Sequence, residues 1–392
     1  MHLFLAAKLA WCNTTANWQR LLVRCSGIMF AVVLIFMQTG FRNALFDSNV
    51  RIMEEKIEAD IVVRSKSRFM LSSGQQMPLR HITMAQSCEG VAMAQPLYIE
   101  NVASPIRRMG FSARKIRVIA MDPTSEMFTK FGLADQAKQL AAPNTAAADI
   151  KSKRMFGLPR QESELSSKSF GELAGKQIRV VGLFESGINF SNDGNLVMTP
   201  ANFAKYFSFR GKNDPLSMVD YGLVNCENAT EVSGVVEKLQ NMLGPNTIVQ
   251  SRVEFLKSER DFWGKNTPIG LIFWFGTMIG FVVGLIICYQ VLATDISDHL
   301  GEFATLKAMG YPPTFFGGVV VIQALLLSVV SFIPGLVIAL VAFTGLNWMT
   351  GLVMFLNFER TGLVLGLTVL MCVTSGLIAL RKLVSADPAS LF

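Results

Sequence analysis

The sequence predicts an α-helical membrane protein with four transmembrane helices and an α/β (α+β) domain inserted between helices 1 and 2. Three observations lead there. Of 392 residues, 51% are hydrophobic and only 17% are charged, against about 25% charged in a soluble globular domain. The charge is also unevenly placed, because 24 of the 29 acidic residues and 29 of the 36 basic ones fall between Arg42 and Lys265. Outside that block lie four stretches that approach the roughly 20 apolar residues a membrane helix needs. The middle block therefore reads as a water-soluble domain and its flanks as membrane.

The first span, residues 21–44, contains GIMFAVVLIFMQTGF and follows a short segment, 1–20. Lys8, Arg20 and Arg24 give it a positive start, but no small-x-small cleavage site follows. Arg24 before Cys25 also argues against a lipoprotein signal, so the span reads as a retained anchor. The second span, 268–293, carries PIGLIFWFGTMIGFVVGLIICYQVL. The third, 314–345, is long enough to tilt or to bend at Pro334-Gly335, and the fourth covers 361–380. Lys8, Arg20 and Arg24 at one end and Arg381 and Lys382 at the other place both termini in the cytoplasm. Four crossings then put residues 45–265 and the loop 346–360 outside, and return residues 294–313 to the cytoplasm. The tail is 381–392.

Within the outside block, FRNALFDSNVRIMEEKIEAD continues the first span as a polar stalk helix, with Leu45, Val50, Met53 and Ile57 along one side. Strand character follows in ADIVVRS, VAMAQPLYIENV, KIRVIAMD, KQIRVVGLFES and YGLVNCE. Val232, Val235, Val236, Leu239 and Leu243 recur at helical spacing until Gly244-Pro245, with the strand NTIVQSR and the helical VEFLKSERDFW after them. Residues 105–213 read as a second lobe, with a loose Ala/Asn/Pro-rich linker near 140–148.

Several chemistries lack support. The basic residues are interleaved with acids and form no stripe, which argues against nucleic acid. The six cysteines contain no CxxC pair, and Cys88 and Cys226 are the two in the polar block, either disulfide-bonded or free. His2, His81 and His299 are too dispersed for a zinc motif, and no G-x-S-x-G elbow occurs. GELAGKQ, from Gly171 to Gln177, has three residues between its glycines where a phosphate loop has four, and it reads as a turn. Glu54-Glu55 reads as a solvated helix face. No catalytic, cofactor-binding or metal site is expected.

Two features remain in the membrane half. Gly276, Gly280 and Gly284 form a double G-x-x-x-G ladder, which lets a neighbouring helix approach, within the chain or across a dimer. Spans two to four, as drawn, contain no charged residue, which disfavours a proton-coupled carrier. Between spans two and three, SDHLGEFATLKAMGYPP forms a short helix. Asp295, Asp298 and Glu302 stand at its start and Lys307 near its end, as the helix dipole favours. Leu300, Phe303, Ala304 and Ala308 can share a face, Gly310 ends the helix, and Pro312-Pro313 blocks its continuation. Three acids against one lysine is the wrong sign for an anionic leaflet, so docking into a groove of a cytoplasmic protein competes well against a loop resting on head groups.

YQVLATDISDHLGEFATLKAMGY resembles the coupling segment of FtsX/MacB-type ABC-transporter permeases, and most of all the DevC permeases. The similarity extends to the opening LAW, FMQTGFRNALFDSNVR, RVVGLFESGINFSNDGNL, TPIGLIF and the terminal RKLVSADPASLF. It is least clear over residues 141–159. The resemblance implies a MacB/FtsX-like architecture in a bacterial inner membrane, with the large domain in the periplasm. It implies a homodimeric permease subunit that works by mechanotransmission and catalyses nothing itself. A separate cytoplasmic ABC ATPase would bind the ATP, and Asp298, His299, Glu302, Lys307, Gly310 and Tyr311 would form the contact with it. A periplasmic adaptor and an outer-membrane channel would complete a tripartite path exporting glycolipid or another amphiphile. The alternatives are an FtsX-like regulator that passes ATPase motion to periplasmic cell-wall hydrolases, and a passive membrane scaffold or receptor.

Overall fold

The computed structural model describes Trp11 and residues 18–166, 169–350, 354 and 356–384. LAW before Trp11, Lys8 and most of the terminal RKLVSADPASLF lie outside the described residues. The chain divides into two units. One contains the long apolar helices, and the other is the domain spanning Ala44–Thr267.

Helix α1, Trp18–Arg51, carries the first apolar stretch, and a π-helical turn, Ile52–Lys56, ends it. The domain then runs through β1 (Ile61–Ser65), β2 (Met77–Pro78), α2 (Arg80–Gln86), β3 (Val91–Glu100), β4 (Pro105–Arg108), β5 (Phe111–Lys115) and β6 (Arg117–Ala120). It continues with α3 (Ala137–Leu140), β7 (Thr145–Asp149), β8 (Phe170–Leu173), β9 (Lys176–Phe184), β10 (Asn195–Met198) and α4 (Pro200–Tyr206). It closes with β11 (Met218–Val219), β12 (Tyr221–Cys226), α5 (Val232–Leu243), β13 (Thr247–Ser251) and α6 (Arg252–Lys265).

Among the described residues, eleven strands form one sheet in the order β13-β1-β12-β3-β6-β10-β7-β9-β8-β4-β5. Strand alternation divides its core. Ile61 and Val63 face a cluster with Ile82 of α2, Phe203 of α4 and Val235 and Leu239 of α5. Val62 faces the opposite cluster, with Val50 and Met53 near the end of α1 and Phe255 of α6. Local signals start the helices. Thr199 caps α4 with Pro200 at its first position, and Ser251 with Glu254 forms a capping box on α6.

Residues 105–213, expected as a second lobe, supply seven neighbouring strands among the described residues. They join the rest through antiparallel pairing of Tyr98–Glu100 with Val118–Ala120. The loose linker expected near 140–148 is a correction. Thr145–Asp149 is a strand inside the sheet, wholly buried, parallel to β9 and antiparallel to β10. Alanine has little strand propensity, so the segment looks like a linker. Its small side chains suit a position covered on both faces, with Ala147 opposite Gly182 and Ala146 and Ala148 on the other side. GELAGKQ is a hairpin turn between β8 and β9, with Ala174 and Gly175 at φ 49° and 79°, the left-handed pair of a two-residue hairpin.

The apolar unit continues with α7 (Pro268–Asp298), α8 (Leu300–Ala308), α9 (Pro313–Thr350) and α10 (Phe358–Val384). Four of the described helices, α1, α7, α9 and α10, are long and apolar enough to cross a membrane. The α/β domain lies between the first two of them, which is the fold class expected from the sequence. Helix α9 continues through Pro334. There Gly335 lies against Val32 of α1, where an added Cβ would come within 2.9 Å of that side chain. In the loop 346–360, residues 351–353 and 355 lie outside the described residues.

Candidate coupling site

The polar segment after α7 is built from two helix ends. Helix α7 runs to Asp298 and breaks at His299, and α8 begins at Leu300. This corrects the expected helix start. Asp295 and Asp298 belong to the last turn of α7, where carboxylates oppose the helix dipole. A partner from α1 offsets that. Arg24 makes an ion pair with buried Asp295 and lies 3.6 Å from Asp298. The side chains of Arg24 and Asp295 are 11% and 1% exposed. His299 Nδ1 sits 2.9 Å from the backbone oxygen of Asp295, which puts the donated proton on Nδ1.

The far end of α8 closes with a Schellman motif. Gly310 adopts φ 87°, its N–H donates to Lys307 O (3.1 Å), and the Tyr311 N–H donates to Leu306 O (3.3 Å). The backbone conformation favours glycine, and the two hydrogen bonds satisfy carbonyls that would otherwise be orphaned. Leu306 and Tyr311 pack into a cluster containing Ile296 of α7, Phe315 and Val319 of α9 and Ala379 of α10. The Tyr311 and Phe315 rings are 4.7 Å apart. Pro313 then begins α9, with the Phe315 N–H donating to the O of Pro312 just before it.

A nine-residue helix is marginal by itself. Here Leu306 and Tyr311 pack its far end on three long helices, and the turn of α7 that leads into it is tied to α1 by the Arg24–Asp295 pair. The expected contact residues divide accordingly. Glu302, Lys307 and Gly310 are exposed, as is Asp298, which also faces Arg24. His299 and Tyr311 are half-buried and turn toward the membrane helices, so they hold the segment in place. The side chains of Phe303 and Ala304 lie outside the described residues. The sequence reading overlooked Met309, which is 67% exposed beside Lys307 and Gly310. It also used Arg24 only as a topology signal. The pairing was discoverable, since Arg24 and Asp295 are both expected at the cytoplasmic ends of their spans.

The glycine ladder is used within the chain at two of its three positions. An added Cβ at Gly276 would meet Gln38 at 2.8 Å, and one at Gly284 would meet Ala31 Cβ at 3.0 Å as well as the Met371 sulfur. At Gly280 nothing lies within 4 Å, and the same holds for Gly362 and Gly366. Ser375 Oγ of α10 donates to Leu285 O of α7 (2.9 Å), and Cys288 and Cys372 face each other with sulfurs 3.7 Å apart. In the domain, Cys88 and Cys226 are free thiols. Among the described residues, no group of three His, Cys, Asp or Glu side chains could hold a metal ion.

Comparison with known proteins gives the following. No curated protein sequence matches the chain. The extracellular domain of the noncanonic ABC-type transporter YknZ from Gram-positive bacteria is 10% identical, with a TM-score of 0.34, over 49% of this chain and 98% of that one. The periplasmic region of MacB from Actinobacillus actinomycetemcomitans is 12% identical, with a TM-score of 0.36, over 53% of this chain and 94% of that one. Residues 273–388, from within α7 through α10 and including α8, are similar to the FtsX-like permease C-terminal family.

Proposed function

We propose that the chain is the permease subunit of an ABC-type exporter, and that α8 receives the stroke of a separate cytoplasmic ATPase. The observation that carries this reading is the mounting of α8. The Arg24–Asp295 pair ties α1 to the last turn of α7, directly before this short helix, and Leu306 and Tyr311 pack α8 against α7, α9 and α10. A load on its exposed side, at Glu302, Lys307, Met309 and Gly310, passes to all four long helices. The family match over residues 273–388 supports the same reading.

ATP binding and hydrolysis then belong to the partner, and the homodimeric permease works by mechanotransmission, with both termini in the cytoplasm. The domain between Ala44 and Thr267 stands in the periplasm of a bacterium with an inner membrane. A periplasmic adaptor and an outer-membrane channel complete the path, and the cargo is glycolipid or another amphiphile. The DevC-like motifs support these finer assignments.

The test is the assembled complex carrying Glu302→Ala with Lys307→Ala. It is expected to insert normally but to lose ATPase affinity or turnover, on the order of tenfold for the loss of two charged contacts at a docked helix. Unchanged ATPase binding and turnover would refute the assignment.

A further inference from the structure

Three segments far apart in sequence bring their aromatic rings together on the domain. Phe69 stacks on Phe262 (6.5 Å between centroids, 12° between planes). Phe262 meets Trp263 edge-on (6.5 Å), and Phe190 meets the same indole edge-on (6.3 Å). Trp263 is buried and its Nε1–H donates to Glu259, so it serves as a platform. The outer rings are open, with Phe69 61% and Phe190 53% exposed. A continuous line of phenylalanine left in water is costly.

Both outer rings are held by buried polar clamps. Phe69 follows Arg68, whose fully buried guanidinium donates to Asp220 (2.7 Å), Gln75 O (2.6 Å) and Leu71 O (3.0 Å). Two residues on, the Leu71 N–H donates to Glu259 (2.8 Å). Phe190 sits in a turn closed by Asn189, whose side-chain oxygen accepts from the N–H groups of Ser191 (3.1 Å) and Asn192 (2.7 Å). Asp149 pins the same loop, accepting from Gly187 N–H (2.9 Å) and the Asn195 amide (2.6 Å). Such clamps fix the backbone and thereby hold a hydrophobic ring outward.

The rings lie where the domain connects to the membrane segments. Trp263 is five residues before Pro268, which begins α7. Beside it, Arg260 bonds Asp47 (3.1 Å) and Glu54 (2.6 Å) at the chain's exit from α1, and Gly264 lies against Phe46. Both connections leave the domain at this base. Aromatic side chains concentrate at the head-group level of membranes.

We infer that Phe69, Phe262 and Phe190, seated on Trp263, form a lipid-contact surface that rests the base of the domain on the head groups of the leaflet α7 enters. This surface does not depend on the cargo or on the ATPase.

The test uses the full chain in phospholipid nanodiscs. Cys12 and Cys226 are replaced by serine, because the other cysteines are buried. Phe190→Cys and Phe69→Cys are labelled separately with bimane. A third label at Ser112→Cys, on the exposed β5 at the sheet edge opposite β13, is the reference. Quenching by a head-group nitroxide lipid is expected to be about threefold or more stronger at positions 69 and 190 than at 112, with aqueous iodide showing the reverse order. Iodide quenching equal to that at 112 would overturn the inference. So would protection from both quenchers, which would mean that a second copy or another protein covers the rings.

Discussion

Replacing Arg24 by methionine keeps the reach of the side chain and removes the charge facing Asp295. The Asp295 carboxylate is 1% exposed, so water cannot take over from the guanidinium. Removing one member of a buried ion pair costs about 3–5 kcal/mol, most of it the stranding of the other charge. On a large domain each kcal/mol lowers the melting temperature by about 2–4 °C, so a drop of about 6–20 °C is expected. The assay is helical circular dichroism of the purified chain during heating, with the double substitution Arg24→Met and Asp295→Leu alongside. An apolar pair in the same space strands no charge, and the double variant should regain most of the loss. The same substitution also frees the last turn of α7, which leads directly into α8. A single variant within about 1 °C of the unchanged chain would refute the clamp. A double variant as unstable as the single one would do the same.

Two further outcomes follow from the packing. Gly284→Ala should destabilise the apolar unit by about 1–3 kcal/mol, because the new methyl meets Ala31 Cβ at 3.0 Å and the Met371 sulfur. Gly280→Ala, in the same ladder, should stay within about 0.5 kcal/mol, and comparing their thermal melts checks both. In the domain, burial pushes the Glu259 carboxyl above its usual range. The folded state therefore keeps the proton to higher pH than the unfolded chain, which releases it near 4.5. Its contribution is greatest below that value and is lost as pH rises through the folded pKa. Glu259→Gln still offers an oxygen to Leu71 and Trp263, so it should raise the melting temperature at pH 8 and flatten this part of the pH profile. A variant that melts lower at pH 8 would contradict the assignment.

Much of the architecture is carried by local pattern. A span must be apolar along its length because lipid offers its backbone and side chains no polar partner, so four helices can be found by composition. The ends of α8 are equally local. Gly310 supplies a left-handed residue and Pro312-Pro313 forbid continuation, whatever surrounds them. Strands such as Ile61–Ser65 and Tyr221–Cys226 announce themselves through β-branched and aromatic residues.

What the tertiary structure decided concerns pairs distant along the chain. Thr145–Asp149 looks like a linker until β9 and β10 enclose it, because small residues fit a strand covered on both faces. Asp295 looks like the start of a coupling helix until Arg24, on another span, reaches it. The glycine ladder shows where helices can approach, but only the packing selects Gly276 and Gly284 over Gly280. Likewise, Phe69, Phe190 and Phe262 are isolated letters until the fold lines them up. Local preference acts over one helical turn or one strand. Burial and charge pairing act through space, and the separation along the chain does not determine which groups they join.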